Sequence, residues 1–206
     1  MRYDANIIQS LFPSILLKTR SNGIHLTFDD GPHPEATAKV LTILRKRNIF
    51  ATFFLLGQSV QQYPEIAQQI IAEGHSCANH SYSHANLLLK NSHFIKREIL
   101  QTEEILEQKL NMQSKFFRPP YGMFNFGLLK VLQEYRLTCV LWSHDSKDYR
   151  INTTKKIEKR IVNKLTDGSI LLFHDNDYTV AKIEKYLPPI LDLLLEKGFV
   201  FNKLTL

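Results

Sequence analysis

The chain has 206 residues, enough for one full-sized domain and short for two. At 44% hydrophobic and 22% charged, with 8 Gly and 8 Pro, it is not a disordered, fibrous or linker-rich chain. The formal net charge of +6 would suit an anionic partner such as cell-wall polymer, an acidic membrane surface or nucleic acid, and is also ordinary for a plain soluble enzyme.

In chain order, Leu11 to Leu17 is the nearest approach to a leader. It is short, is broken by Pro13 and Ser14, lacks a following A-x-A site, and is preceded by Asp4. It reads as part of the domain, so a cytoplasmic location is expected. No stretch approaches the length of a transmembrane segment. Ile24 to Phe28 reads as a short apolar strand. Pro34 starts a helix in its first turn, with Val40, Leu41 and Leu44 inward and Arg45, Lys46 and Arg47 at its negative end. Phe50 to Leu56 is a strand, Pro64 to Glu73 a helix closed by Gly74, and Ser76 to Asn79 a strand.

A long helix is predicted from Ser92 to Asn111, with Ile95, Ile99, Leu106 and Leu110 on one face. Phe116 and Phe117 form a short strand, and Asn125 caps a helix carrying Leu128, Leu129 and Leu132. Thr138 to Trp142 is a strand, and Lys155 to Leu165 a helix with a basic outer face. Ser169 to Phe173 is a strand buried on both sides. Ile183 to Lys197 is a helix that Pro188 and Pro189 should kink, Gly198 ends it, and Phe199 to Phe201 is the last strand. Cys77 and Cys139 sit in apolar stretches without a CxxC pair, so buried free thiols are expected. Alternating strands and helices predict a parallel sheet, either open and doubly wound or closed as a small barrel. No Gly-rich phosphate loop follows the first strand, which argues against nucleotide binding.

The chemistry-bearing residues follow the predicted strands, at the edge where α/β folds build sites. Thr27-Phe28-Asp29-Asp30-Gly31-Pro32 ends a strand with two carboxylates that a straight strand would point to opposite faces; the Gly-Pro bend would let both reach one site. Taken alone, Asp-Asp-Gly-Pro is usually a turn. His80-Ser81-Tyr82-Ser83-His84 spaces two imidazoles as on one face of a helical turn, which suits a shared metal; surface histidines also show this spacing. Two His and one Asp hold a divalent cation and leave positions open. Arg118-Pro119-Pro120-Tyr121-Gly122 is a stiff segment that would fix Arg118 and the Tyr121 backbone N–H. Asp145-Ser146-Lys147-Asp148-Tyr149 reads alone as a charged loop. His174, ending Leu172-Phe173-His174, is either a satisfied core histidine or a proton donor at a barrel mouth.

These segments, in this order, resemble the polysaccharide deacetylases, the family 4 carbohydrate esterases that include the nodulation-factor deacetylase. Thr27 to Pro32 resembles the first family motif, His80 to His84 resembles H-[ST]-x-x-H, Arg118 to Tyr121 resembles R-x-x-P-Y, and Leu172 to His174 resembles L-x-H. Asp145 to Tyr149 is similar to D-x-x-D-W, with Tyr149 in place of Trp. The resemblance implies an α/β fold, a single-domain distorted (β/α)7 barrel like a TIM barrel, spanning 1–206 with its motif core at 24–176. It implies that Asp30, His80 and His84 hold a metal, most often zinc, with cobalt, manganese or nickel as alternatives. Asp29 would be the general base, oriented by Arg118, and Tyr121 would lend its backbone N–H to the oxyanion. His174 would be the general acid, oriented by Asp148. Tyr121, Tyr149 and Trp142 would border the substrate, and a phenol at Tyr149 would alter the apolar wall that the family Trp forms.

The expected activity is hydrolysis of N-linked acetyl groups on an N-acetylated glycan of chitin-oligomer or peptidoglycan type. The alternatives are a deformylase or deacetylase of a lipid-linked amino sugar, an O-acetyl xylan esterase, and a non-catalytic sugar-binding relative. A nucleic-acid partner is not expected: the basic face around Lys155, Lys156, Lys159 and Arg160 comes without a nucleic-acid-binding motif and reads as a solvated helix face.

Overall fold

The computed structural model describes residues 12–151 and 153–205. Asp4 and Leu11, used above in reading the first segment, lie outside the described residues. Among the described residues, eight short strands form one sheet: β1 (Ile15–Leu16), β2 (His25–Asp29), β3 (Thr52–Leu55), β4 (Ser76–Asn79), β5 (Phe116–Phe117), β6 (Thr138–Val140), β7 (His144–Asp145) and β8 (Ile170–His174). Their order is β1-β6-β5-β4-β3-β2-β8-β7, and every pairing is parallel.

β6 and β7 belong to one run of chain, separated by Leu141, Trp142 and Ser143. The start of that run pairs with β5 and its end with β8, so the sheet curls back on itself. β1 lies beside β6, and Thr19 N–H reaches the Gly168 carbonyl just before β8. The result is the distorted α/β barrel that the motifs imply. Parallel strands buried on both faces favour apolar runs, which β3 and β8 supply, while the equally buried β2 alternates Leu26 and Phe28 with His25, Thr27 and Asp29. Phe28 stacks on Phe53 at 5.1 Å between ring centroids and meets Phe173 at 6.1 Å. Each such buried ring contributes roughly 1.5–3 kcal/mol of transfer free energy.

The helices are α1 (Ala36–Arg45), α2 (Gly57–Gln62), α3 (Pro64–Ala72), α4 (Ser92–Leu110), α5 (Phe126–Glu134), α6 (Thr154–Ile161) and α7 (Ile183–Glu196). Val40, Leu41 and Leu44 of α1 and Ile157 and Ile161 of α6 are buried, as their spacing predicts. Asn91 and Asn125 cap α4 and α5 by accepting the N–H groups of Phe94 and Leu128. Both cysteines are buried free thiols, and burial pushes each pKa up to about 12.

Several details differ from the sequence reading. α1 begins at Ala36, because Pro34 and Glu35 form a turn in which the Glu35 and Ala36 N–H groups donate to His33 Nδ1. Helix α2 and strand β7 were not expected; both are short and depend on contacts distant in sequence. Phe199 to Phe201 is a single bridge between Phe201 and Ile24 rather than a strand. α7 runs unbroken through Pro188 and Pro189. The Lys185 carbonyl, four residues before Pro189, instead accepts the Thr154 hydroxyl at 3.0 Å. No helix among the described residues is long and apolar enough to cross a membrane.

Candidate active site

Asp29 is the last residue of β2, and Asp30 follows with φ +82°. That left-handed residue turns the second carboxylate, so the bend starts at Asp30 itself and not only at Gly31-Pro32. Both carboxylates then face one imidazole: His80 Nε2 lies 3.4 Å from Asp30 Oδ1 and 3.7 Å from Asp29 Oδ2. His84 Nε2 approaches the same Asp30 Oδ1 at 3.2 Å.

The two histidines do not sit on a helical turn, as their spacing had suggested. They flank a loop in which Ser81 has φ +71° and His84 φ +58°. The loop cannot wind into a helix because its backbone groups bond elsewhere. The Ser81 and Tyr82 carbonyls accept N–H groups from α2, and Glu98 on α4 accepts the Tyr82 and Ser83 N–H groups. Asn79 takes the Ser81 N–H at 2.8 Å. Glu98 is therefore a functional support that motif reading missed. Its signal was an acid three residues after Ile95, on the buried side of a helix.

His80 Nδ1 lies 2.7 Å from the Arg118 carbonyl. A carbonyl only accepts, so Nδ1 carries a proton, and in the neutral ring the Nε2 lone pair points at the carboxylates. Asp30 Oδ1 is buried and has no hydrogen-bond partner among the described residues. One carboxylate oxygen and two ring nitrogens facing each other need positive charge between them, as protons on the rings or as a cation. Burial opposes charge on Asp30, but the two imidazoles outweigh it and hold its carboxyl well below the usual range. Asp30, His80 and His84 offer one ligand atom each, all within 4.8 Å of one another. This donor set fits a divalent cation with open positions.

Arg118 is fully buried. Nη1 donates to Asp29 Oδ1 at 2.6 Å and to Thr27 Oγ1 at 2.9 Å, Nη2 donates to the Leu141 carbonyl, and the guanidinium lies over the Phe54 ring. Opposite, His174 ends β8. Its Nδ1 lies 2.8 Å from Asp148 Oδ1, and its backbone N–H donates to Asp148 Oδ2. Burial would lower the His174 pKa; the Asp148 carboxylate outweighs burial and, with Asp30 and Asp29, pushes it up to about 9. Tyr186 on α7, also missed in the sequence, donates its hydroxyl to Asp148 Oδ2 at 3.0 Å.

Tyr121 sits in a 3-10 turn, Pro120–Gly122, with φ +59°, and its ring meets His84 at 4.6 Å. Gly122 packs so closely on Trp142 that an added Cβ would lie 2.8 Å from the indole. Tyr149 meets the His174 ring edge-on at 5.0 Å. Asp29, Asp30, His80, His84, Tyr121, Trp142, Tyr149 and His174 line one open cleft of about 920 Å³ at the C-terminal ends of the strands, while the buried Arg118 and Asp148 stand behind its wall.

Residues 17–140 match the family model for polysaccharide deacetylase. The chain belongs to that family. It is 37% identical over 172 residues to a peptidoglycan-N-acetylglucosamine deacetylase of Bacillus cereus, covering 81% of this chain and 62% of that one. It is 34% identical over 155 residues to the chitooligosaccharide deacetylase of Azorhizobium caulinodans, covering 75% and 74%. The chain thus spans about three fifths of the first of these relatives, and 39% of a longer Listeria monocytogenes deacetylase. A family 4 carbohydrate esterase pseudoenzyme of Bacillus anthracis shares the fold at a TM-score of 0.84 and 25% identity, over 96% of this chain and 69% of that one. A mutant of it with restored enzymatic activity superposes equally well. The fold alone therefore does not separate active polysaccharide deacetylases from inactive ones, and activity has to be argued from side chains.

Proposed function

We propose that this chain is a metal-dependent deacetylase that hydrolyses N-acetyl groups on amino-sugar glycans. The observation that carries the reading is the buried, unbonded Asp30 Oδ1 facing two imidazole nitrogens, beside Asp29 and the His174 that pairs with Asp29 across β2 and β8. In this reading Asp30, His80 and His84 hold the cation, and zinc is the first candidate. When bound, a divalent cation polarises the acyl carbonyl and lowers the pKa of water beside it.

Asp29 takes the proton from the attacking water. Arg118 holds Oδ1 and so leaves Oδ2 turned toward the cleft side of His80. The Tyr121 backbone N–H stabilises the oxyanion, where one donor is worth about 3 kcal/mol. His174 delivers a proton to the leaving nitrogen, since an amine anion cannot depart. The Asp148 carboxylate favours the charged His174 ring, which supports the ring as the proton donor. Asp148 and Tyr186 keep that ring oriented, and Tyr121, Trp142 and Tyr149 border the sugar.

The named activities of the relatives support peptidoglycan-type or chitin-oligomer glycans as the substrate class. The 206 residues are read as one catalytic domain. A peptidoglycan substrate would put the reaction outside the cytoplasm, against the expected cytoplasmic location, and fractionation of the native cell decides between them. The test of the substrate is acetate and formate release, by the zinc-loaded chain, from N-acetylglucosamine oligomers, muropeptides and acetylated xylan. Release from an N-acetyl glycan supports the reading. Release from xylan alone, or formate alone from a formylated amino sugar, replaces it with an esterase or a deformylase. The pseudoenzyme neighbour gives the second reading weight: no release by protein that binds zinc makes the chain a non-catalytic relative, and glycan binding by that protein supports a sugar-binding one.

A further inference from the structure

Asn176 belongs to none of the motifs. It lies two residues beyond His174, and its side-chain Nδ2 donates to Asp30 Oδ2 at 2.6 Å. Its Oδ1 accepts the Tyr178 N–H at 3.0 Å. The orientation of the amide follows from chemistry: a backbone N–H is satisfied only by the amide oxygen, and a carboxylate only by the NH2. The backbone of Asn176 is fixed as well. Its N–H donates to Thr179 Oγ1 at 3.1 Å, and its carbonyl accepts the Thr179 and Val180 N–H groups at 3.1 and 3.0 Å.

The two oxygens of Asp30 are therefore unequal. Oδ2 is held by Asn176, and Oδ1 is buried, makes no hydrogen bond among the described residues and faces His80 and His84. An unrestrained carboxylate rotates about its Cβ–Cγ bond and can chelate a cation through both oxygens or turn from it. We propose that Asn176 is a positioning residue of the metal site: its amide holds Asp30 Oδ2 and so presents the single oxygen Oδ1, beside the Nε2 atoms of His80 and His84, to a divalent cation. The proposal rests on the metal reading of those three residues. Limiting Asp30 to one oxygen leaves more of the coordination shell open toward the cleft. Groups that orient metal ligands typically change affinity by about 10–100-fold when removed.

The test is the zinc Kd of the metal-stripped full chain, by competition with a chromophoric chelator, for the parent, Asn176→Ala and Asn176→Ser. Serine keeps a local acceptor for the Tyr178 N–H but is too short to reach Asp30. Both variants are expected to bind zinc about 10–100-fold more weakly, with the metal-free melting temperature of the serine variant close to that of the parent. Zinc affinity of the serine variant within about twofold of the parent overturns the proposal. So does a lowered metal-free melting temperature with unchanged zinc affinity, which assigns Asn176 to folding of its loop. Failure of the underlying metal reading looks different: the parent itself binds no zinc, or His80→Ala binds it as tightly as the parent.

Discussion

Arg118 and Asp29 form an ion pair with Nη1 2.6 Å from Oδ1, in which neither side chain is more than 3% exposed. Its desolvation is offset by further partners, since Arg118 also bonds to Thr27 and to the Leu141 carbonyl. Removing one partner leaves the other as a buried, uncompensated charge. Arg118→Met is expected to cost about 3–5 kcal/mol in denaturant unfolding. It should also lower kcat/KM at least about 100-fold, through misplacement of Asp29. The double variant with Asp29→Asn should recover part of the stability and none of the activity. Equal stability of Arg118→Met and the parent would contradict this account of the pair.

The His174–Asp148 pair predicts a stability change with pH in the metal-free protein. The folded pKa of about 9 lies above the unfolded value of about 6.5, so the ring's contribution is full below pH 6.5 and is lost as pH rises through 9. The difference corresponds to about 3 kcal/mol at most. Asp148→Asn should flatten that alkaline slope. His75 acts in the opposite window: burial lowers its pKa to about 4, so its contribution is present above pH 6.5 and is lost as pH falls through 4. Urea midpoints measured from pH 4 to 9 separate the two. A bound cation opposes the contributions of Asp29 and Asp30 to His174, so zinc should move the alkaline slope toward lower pH.

Gly31 is held to glycine by close approach. A methyl group there would collide with the Asp175 carboxylate, which is fully buried and bonded to Thr37. Burial also pushes the Asp175 carboxyl well above the usual range. Gly31→Ala must therefore shift Asp175 or the Asp29–Asp30 segment. Lower zinc affinity and a lower melting temperature are both expected, and thermal melts with and without zinc measure them together.

Tyr149 stands where the family carries Trp. Its ring packs edge-on against His174, and its hydroxyl accepts from Lys147 Nζ at 3.0 Å. It is not among the three proposed metal ligands, Asp30, His80 and His84. Tyr149→Trp is expected to leave zinc affinity unchanged and to alter KM for glycan oligomers more than kcat. Steady-state kinetics on a series of oligomer lengths tests this split.

What the sequence made legible follows from locality. β4 and β5 occupy the residues predicted for them, and the predicted Asn125 cap stands just before α5. Asp29, Asp30, His80, His84, Arg118 and His174 could be singled out because each lies in a short segment of unusual composition at or just past the end of a strand. Their helpers could not. Tyr186 lies 38 positions from Asp148, and Asn176 lies 146 from Asp30. Those pairings exist only once the sheet has curled and brought the C-terminal ends of β2 and β8 together. The closure itself was equally hidden, because one run of chain serves as both β6 and β7 and its bend carries no local signal.

The measurement that tests the central claim most directly is acetate release from N-acetylglucosamine oligomers by metal-stripped protein, before and after zinc is restored. Asp29→Asn and His80→Ala are measured beside the parent. The account predicts release only from the zinc-restored parent, with Asp29→Asn binding zinc yet inactive and His80→Ala deficient in both. Undiminished release by the stripped protein or by Asp29→Asn, or none from the zinc-bound parent, would contradict it.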